Sequence, residues 1–140
     1  MNIRSYLTED EEQVIALWHK CDLVRPQNNP RSDIQRKMAV NPELFLIGVE
    51  NEQIVATAMG GYEGHRGWLN YLAVDPAYQR KGFGRQMMRE LEKKLSALGC
   101  PKINLQVRKG NAAALRFYDR IGYREDEVIS LGRRLIQDPT

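Results

Sequence analysis

Residues that build structural metal sites and disulfides are scarce in this sequence. Its 140 residues include only two cysteines, Cys21 and Cys100, and two histidines, His19 and His65. None of them forms a CxxC or HxxxH grouping, so no metal site is expected. Two widely spaced cysteines without an export signal are typical of reduced thiols rather than of a disulfide.

Long apolar segments are also missing. No run approaches the roughly 18 apolar residues that a membrane-spanning helix needs. Residues 1–12 become acidic early and lack the apolar core of a secretion signal. We therefore expect a cytoplasmic protein that does not enter the membrane. The length, the 42% apolar content and the 28% charged content are typical of one globular domain, here residues 1–140.

The positive charge of the chain is small and unevenly distributed. The net charge is only +3, whereas nucleic-acid-binding domains usually carry a larger and more segregated excess. No nucleic-acid partner is expected. Between Arg80 and Lys94, however, the sequence contains six lysines and arginines and only two glutamates. Composition alone is compatible with a patch that faces a small anion and with an ordinary solvated helix face.

The first third of the chain predicts one strand and two helices. Residues 2–7 alternate in polarity, as in a strand. Thr8 with Glu11 and Ser32 with Gln35 have the spacing of a capping box, which predicts helices beginning near residues 8 and 32.

The rest of the chain predicts a sheet with a crossover helix. The expected elements are strands at 45–50, 53–62, 68–74 and 103–108, helices at 83–98 and 112–121, and one or two weaker strands at 123–135. The fold class is therefore α/β (α+β in some schemes), with a mixed central sheet of six to seven strands flanked by four helices.

The segment QRKGFGRQMM, residues 79–88, lies between a predicted strand and a predicted helix. Unpaired amides and the helix dipole at such a junction attract anions, and glycine lets a phosphate approach closely. A Walker A loop is excluded by spacing, and a dinucleotide fingerprint fails because Met87 occupies its third glycine position. On these residues alone, a pyrophosphate site and an unspecialised turn are equally supported.

Two longer motifs decide between these alternatives. In residues 71–92, YLAVDPAYQRKGFGRQMMRELE, an apolar-x-V-x-P strand end precedes the pattern Q/R-x-x-G-x-G/A. In residues 105–123, LQVRKGNAAALRFYDRIGY, a strand and an asparagine precede a helix that ends in Tyr-x-x-x-Gly-Tyr. The chain resembles the GNAT superfamily of N-acetyltransferases over nearly its whole length. It is similar to the bacterial YpeA-type acetyltransferases and to the enzymes that acetylate the N-terminus of a ribosomal protein.

The resemblance implies that acetyl-CoA is the co-substrate, without a metal. It also implies that the central sheet is splayed in the middle by a bulge at the strand end formed by Leu72, Ala73 and Val74. It assigns the coenzyme A pyrophosphate to the loop amides of Arg80, Lys81, Gly82, Phe83, Gly84 and Arg85. It assigns the pantetheine arm and the thioester to the backbone of Leu72, Ala73 and Val74, and also to Asn111. Tyr118 is the expected general acid that protonates the departing thiolate.

The implied activity is acetyl transfer to a primary amine of a small molecule or peptide, by direct attack in a ternary complex. Relatives of the ribosomal-protein type carry glutamate where this chain has Gln106, which could only orient a water. Glu63, Asp75 and His65 are other candidates for the base. The missing glutamate leaves a non-catalytic acyl-CoA-binding sensor or partner module as the alternative function.

The resemblance also implies where the acceptor binds and how the protein assembles. Acceptor specificity is expected to come from residues 25–30 and the short helix after them, with Arg25 as one candidate for a carboxylate partner. Related enzymes often pair through their C-terminal strands, so a homodimer is a possible assembly.

Overall fold

The computed structural model describes residues 1–138, which divide into two compact units: Met1–Leu105 together with Asp138, and Gln106–Gln137. The first unit contains strands β1 (Asn2–Ser5), β2 (Phe45–Glu50), β3 (Gln53–Tyr62), β4 (Gly67–Val74) and β5 (Ile103–Leu105), and helices α1 (Glu11–Lys20), α2 (Pro30–Met38) and α3 (Phe83–Ala97). The second unit contains helix α4 (Ala112–Arg120).

The sheet of the first unit is mixed, as predicted. Its strands lie in the order β1-β2-β3-β4-β5; the first three pairings are antiparallel and the last is parallel. The turn between β2 and β3 is the predicted hairpin, because Asn51 and Glu52 both adopt positive φ, at 50° and 62°. The parallel pair requires a crossover, which α3 provides.

The predicted number of six to seven strands is not confirmed, since the described residues contain five. Residues 123–135 contain no strand, and β5 ends at Leu105 rather than at Arg108. The apolar side chains from Val128 to Leu135 are exposed. β-type residues form a strand only where a neighbouring strand pairs with their backbone groups, and residues 123–135 are paired with none in the structure.

Helices cover both faces of this sheet. On one face, Trp18 of α1 packs in a buried cluster with Phe45, Ile47 and Met59. On the other face, α3 approaches so closely that a Cβ at Gly60 would lie 2.3 Å from Cδ1 of Leu91. Each fully buried side chain of this size contributes about 1.5–3 kcal/mol. The two cores therefore fix the strands that carry the candidate site.

The helix starts differ from both predicted capping boxes. Before α1, a short 3-10 turn at Thr8–Asp10 takes the place of the Thr8 cap, and the Asp10 carboxylate accepts from the Leu7 amide at 2.8 Å. Helix α2 begins at Pro30, and Asn29 caps it by accepting from the Ser32 amide at 3.1 Å. Asn29, directly before Pro30, is a stronger helix-start signal than Ser32, which lies two residues after that proline.

Candidate functional site

Strand β4 contains a bulge in the middle of the sheet. The register pairs Thr57 with Ala73 and Met59 with Asn70, so Tyr71 and Leu72 together lie opposite Ala58. Tyr71 has φ of 50°, which is a strained conformation for a residue with a bulky side chain. Bulges of this kind bend a strand and redirect its side chains.

The bulge turns Tyr71 toward α1 and α2. Leu69 pairs with Gly60, which faces α3, and a regular strand would place Tyr71 on that same face. Instead, the Tyr71 ring stacks on Trp18 with the ring centroids 3.8 Å apart. The Tyr71 hydroxyl donates to Asp33 at 2.6 Å and accepts from the side-chain amide of Asn28.

Thr57 holds the backbone of the bulge in place. Its fully buried hydroxyl donates to the Tyr71 carbonyl at 2.8 Å and accepts from Nε1 of Trp18 at 2.9 Å. Because one hydroxyl satisfies two buried polar groups, the bulge carries no unpaired carbonyl at this point.

Strand β5 pairs only with the first three residues of β4. The register joins Gly67–Leu69 to Ile103–Leu105, and the described residues provide no strand neighbour for the following part of β4 on this edge. The edge includes Leu72, Ala73 and Val74, the predicted contacts of the pantetheine arm. The carbonyl of Val74 already accepts from Sγ of Cys21 at 3.4 Å and from Nε2 of Gln79 at 3.3 Å. Ala73 pairs with Thr57 of β3, and the Asp75 amide donates to the Val55 carbonyl of the same strand. By alternation, the backbone groups on the open edge of β4 therefore belong to Leu72 and to the Val74 amide.

The loop after β4 has the form expected of an anion site. Gly82 precedes α3 with φ of 80°, a conformation that glycine adopts without strain, and Arg80 also has a positive φ of 66°. The N-terminus of α3 has no side-chain cap, and its first turn contains no acidic residue. The amides of Phe83, Gly84 and Arg85 have no acceptor within the helix, because they belong to its first turn.

The charged side chains of this loop are exposed, and its aromatic side chain is buried. Arg80, Lys81 and Arg85 are exposed, whereas Phe83 is buried and stacks on Tyr78 with centroids 6.2 Å apart. Phe83 therefore anchors the loop while the cations and amides face solvent. This arrangement can bind a polyanion such as a pyrophosphate.

The second unit contains Asn111 and Tyr118 on one helix. Asn111 caps α4 by accepting from the Ala114 amide at 3.1 Å, as predicted. Tyr118 is half-buried, and its ring meets Phe117 and Tyr123 edge-on, with centroids 5.1 and 5.8 Å away. Burial raises the pKa of Tyr118 to about 12, so the phenol is protonated at neutral pH.

Gln106 and the other base candidates have their own contacts. The Gln106 amide nitrogen donates to the Ser130 hydroxyl. The Glu63 carboxylate accepts from the amides of His65 and Arg66 in the turn before β4, and these bonds hold the pKa of Glu63 below its usual value. Asp75 accepts from the Ala77 amide at 3.0 Å and pairs with Lys20 at 3.1 Å. Both carboxylates have structural roles.

A cavity of about 430 Å³ lies beside the bulge, and sequence analysis did not identify its residues. Its lining comes from α2 and the residues after it and from strands β3 and β4: Asp33, Arg36, Lys37, Val40, Met59, Asn70 and Tyr71. The spacing of Asp33, Arg36 and Lys37 places them on one face of a helix, which was the available signal. The contribution of Tyr71 depends on the bulge, which the family resemblance implies for this strand but which the alternation of residues 68–74 does not specify.

Arg25, the predicted carboxylate partner, does not line this cavity. It pairs with Asp22 at 3.3 Å, and its backbone amide donates to the Asn28 side chain at 2.9 Å. Arg25 therefore helps to hold the α1–α2 loop in shape, and this loop positions Asn28 beside the Tyr71 hydroxyl.

Residues 1–138 contain neither a metal-binding cluster nor a membrane-spanning helix. No group of three or more histidine, cysteine, aspartate or glutamate side chains within that part of the chain is arranged to hold a metal ion. No helix described there has both the length and the apolar character needed to cross a membrane.

Comparison with known sequences identifies a family and close relatives. The model of the acetyltransferase (GNAT) family matches residues 5–123. A protein named acetyltransferase from Yersinia pestis (strain Pestoides F) is 49% identical over 138 residues, which cover 99% of this chain and 98% of that protein.

Solved structures with the same fold include enzymes with different acceptors in their names. The ribosomal-protein-S18-alanine N-acetyltransferase from Escherichia coli has a TM-score of 0.75 at 25% identity, covering 89% of this chain and 78% of that chain. An aminoglycoside antibiotic 6′-N-acetyltransferase from Acinetobacter haemolyticus also has a TM-score of 0.75, at 17% identity, covering 97% of this chain and 100% of that chain.

Proposed function

The chain belongs to the acetyltransferase (GNAT) family, and we propose from this premise that it transfers an acetyl group from acetyl-CoA to a primary amine of a small molecule or peptide. The amine attacks the thioester directly while both substrates are bound. The relatives act on amines as different as a ribosomal-protein alanine and an aminoglycoside, according to their names, so the family alone leaves the acceptor open.

The observation that carries the proposal is the uncapped N-terminus of α3, with its three surrounding cations. Its amides and the positive end of the helix dipole favour a polyanion, and Arg80, Lys81 and Arg85 add full charges. We assign the pyrophosphate of coenzyme A to residues 80–85. We assign the pantetheine arm to the backbone of Leu72, Ala73 and Val74, with Asn111 as a further contact.

The bulge in β4 supports the assignment of the thioester. An attacked thioester carbonyl develops negative charge, which a backbone amide can stabilise if it is not already used in the sheet. The unpaired edge of β4 after Leu69 provides such amides. Thr57 fixes the bulge, so these groups are oriented before the substrate binds.

Tyr118 is the proposed partner of the departing thiolate. Its pKa of about 12 lies roughly 3.5 units above the reference value of about 8.5 for a thiol. Complete proton transfer from the phenol is therefore unfavourable by about 4.8 kcal/mol in the free protein. We infer that Tyr118 first stabilises the thiolate as a hydrogen-bond donor, and that water replaces any proton it gives up.

The attacking amine must lose a proton. An amine with a pKa of about 10.4 is neutral in about one molecule in 2,500 at pH 7, which corresponds to about 4.6 kcal/mol. An α-amine with a pKa of about 7.7–8.0 has a much smaller penalty. Because Gln106 is an amide and cannot take the proton, we propose that it orients a water that does.

Binding of acetyl-CoA and acetyl transfer test this proposal separately. Acetyl-CoA at about 100 times its Kd should add about 2.7 kcal/mol of stability, measured as a thermal shift. Arg85→Glu should weaken that shift while keeping the fold, because an acidic residue in the first turn suits the helix but repels a pyrophosphate. Arg89→Glu, one turn further along α3, is the matched control. Absence of any shift with the unmodified protein would refute the proposed donor site.

The alternative function is a non-catalytic acyl-CoA sensor, which Gln106 in place of an acidic residue favours. It predicts a thermal shift with acetyl-CoA but no acetylated product from any amine in a broad panel. Mass spectrometry of the panel with acetyl-labelled acetyl-CoA distinguishes the two. One reproducible product excludes the sensor.

Assembly and organisation are part of the same proposal. The family match over residues 5–123 supports a single acetyltransferase domain over residues 1–140. The exposed apolar side chains between Val128 and Ile136 support a homodimer that pairs through this segment. The cytoplasmic location remains a prediction.

A further inference from the structure

The cavity beside the bulge has a lining with two opposite charges. Asp33 and Lys37 are four residues apart on α2 and therefore lie on the same side of the helix. Between them, Arg36 is engaged in a bidentate pair with Asp138, with nitrogen–oxygen distances of 2.6 and 3.1 Å. The charge of Arg36 is thus compensated, and the cavity presents one carboxylate and one ammonium group to an occupant.

Lys37 is a half-buried cation, and the nearby Glu43 carboxylate offsets only part of the effect of its burial. Its Nζ lies 3.4 Å from the position of a Cβ at Gly61, so the absence of a side chain there leaves room for the ammonium group. Burial holds the pKa of Lys37 below its usual value. An anion bound next to Lys37 would favour its charged form and raise its pKa again.

Asp33 faces the cavity with part of its hydrogen-bonding capacity unused. Oδ2 accepts from the Tyr71 hydroxyl at 2.6 Å, while Oδ1 forms a long ion pair with Arg36 at 3.6 Å, beyond hydrogen-bond distance. A carboxylate can accept about four hydrogen bonds. Asp33 is therefore able to bind an amino group while it holds Tyr71.

The remaining lining is mostly apolar, with Asn70 as a polar member. Met59 and Val40 line the cavity with the ring of Tyr71, next to the bulge in β4. About 430 Å³ lies near the lower end of the range for small-molecule sites. The cavity therefore has room beside these residues for an amino acid with an apolar side chain.

We propose that this cavity binds the acetyl acceptor, and that the acceptor is a free amino acid with an apolar side chain, whose amino group meets Asp33 and whose carboxylate meets Lys37. The inference rests on the proposed acetyltransferase function. Lys37 selects for the carboxylate, so amines without one bind more weakly. A polyamine or aminoglycoside would place additional cations next to Lys37, and a peptide would lack a carboxylate at this distance from its amino group.

The reaction balances without a further reactant. The ammonium group of the amino acid gives one proton to water, and the resulting amine forms a C–N bond with the acetyl carbon. The C–S bond breaks, and a second proton from the nitrogen ends on the sulfur of coenzyme A. The products are an N-acetyl amino acid, coenzyme A and one proton released to water.

The test compares three probes that differ only at the carboxylate: L-leucine, L-leucinamide and 3-methylbutylamine. Each is titrated into the full chain in the presence of coenzyme A, and each is assayed separately for acetyl transfer from acetyl-CoA. We expect L-leucine to bind at least about tenfold more tightly than the other two, because a hydrogen bond to a charged group usually contributes at least about that factor.

Two variants and a control locate the effect. Lys37→Met keeps most of the length of the side chain and should remove the preference for L-leucine while leaving the affinity for L-leucinamide unchanged. Asp33→Asn should weaken the binding of all three probes by similar factors, because all three have the amino group. Lys93→Met, which changes an exposed lysine on α3, should alter none of them.

The outcomes separate this inference from the proposed function. Equal or tighter binding of the two probes without a carboxylate would overturn the inference, even if acetyl transfer is observed. Selective binding of L-leucine without any transfer would support the inference for the cavity and count against the proposed enzyme. Failure of all three probes to bind would overturn the inference, and the thermal shift with acetyl-CoA would still test the donor site.

Discussion

The hydroxyl of Thr57 is a single group on which two parts of the candidate site depend. It accepts from Trp18 and donates to the carbonyl of Tyr71, and it has no exposure to solvent. Thr57→Val should therefore lower the free energy of unfolding by about 2–4 kcal/mol, because it leaves two buried polar groups unpaired. The midpoint of urea unfolding measures this loss.

Thr57→Ser is the matched control for that substitution. It keeps the hydroxyl and removes one methyl group, which should cost about 0.5–1.5 kcal/mol. If the valine variant were as stable as the serine variant, the hydroxyl would not be holding the bulge.

The proposed role of Tyr118 leads to a kinetic prediction. Tyr118→Phe should lower kcat by about 10²-fold, the lower end of the range for acid catalysis, and leave the Kd of coenzyme A nearly unchanged. Tyr62→Phe, a change at a partly exposed tyrosine in β3, is the control. An unchanged kcat for Tyr118→Phe on a true acceptor would remove Tyr118 from the mechanism.

The raised pKa of Tyr118 gives this prediction a pH dependence. Since the phenol is the acid form and its pKa is about 12, it remains protonated throughout pH 6–9. The kcat of the unmodified enzyme should therefore show no alkaline loss from this group below about pH 11. Any inflection nearer pH 8 must come from the amine or another group.

Among the elements, the start of α2 positions one side of the cavity. Asn29 caps this helix, and Asp33 and Lys37 follow within its next two turns. Asn29→Ala should lower the free energy of unfolding by about 0.5–2 kcal/mol, the usual cost of losing such a cap. Chemical denaturation measures it.

Ser32→Ala tests the capping box that the sequence predicted at Ser32 and Gln35. The structure uses the backbone amide of Ser32, and not its hydroxyl, in the cap. Ser32→Ala should therefore change stability by less than about 0.5 kcal/mol. A larger loss than that of Asn29→Ala would favour a helix that begins at Ser32.

The elements that sequence analysis placed well have strong local signals. Strands β2 and β3 and their turn follow from apolar runs around Asn51–Glu52, and α3 follows from its apolar period. The loop at residues 79–85 attracted attention because its glycines and cations are contiguous, but its assignment to coenzyme A came from the two family motifs and stays a prediction. Elements whose start depends on competing caps, such as α1 and α2, were misplaced by a few residues.

The family resemblance implied a bulge in β4, but the position of Tyr71 could not be predicted because it depends on contacts between distant segments. The bulge at Tyr71 exists because Thr57, Trp18 and Asp33, all far away in sequence, hold its backbone, ring and hydroxyl. Alternation in residues 68–74 predicts a regular strand, which would have placed Tyr71 on the face of α3. The cavity beside the bulge was missed for the same reason.

For the molecule as a whole, the absence of strands in residues 123–135 bears on assembly. Val128, Ile129, Leu131 and Leu135 are 76–91% exposed, which is unusual for so many apolar side chains in one short segment. We expect a homodimer whose formation depends on these side chains. Light scattering coupled to size exclusion should show twice the monomer mass of 16.2 kDa.

A substitution within that segment tests the assembly. Ile129→Glu should shift the mass to that of one chain, because a buried unpaired carboxylate is costly at an interface. Thr8→Glu, at an exposed position outside the segment, is the control. A monomer for the unmodified protein at high micromolar concentration would contradict the predicted homodimer.

The stacking of Trp18 on Tyr71 gives the protein an internal optical probe. Trp18 has no exposure to solvent, and it touches the ring whose hydroxyl reaches Asp33 in the cavity. The other tryptophan, Trp68, is 40% exposed and emits at longer wavelength in contact with water. In a Trp68→Phe background, the fluorescence of a single indole would follow the arrival of a molecule at Asp33. Occupancy of the cavity could then be timed in a stopped-flow instrument without any label.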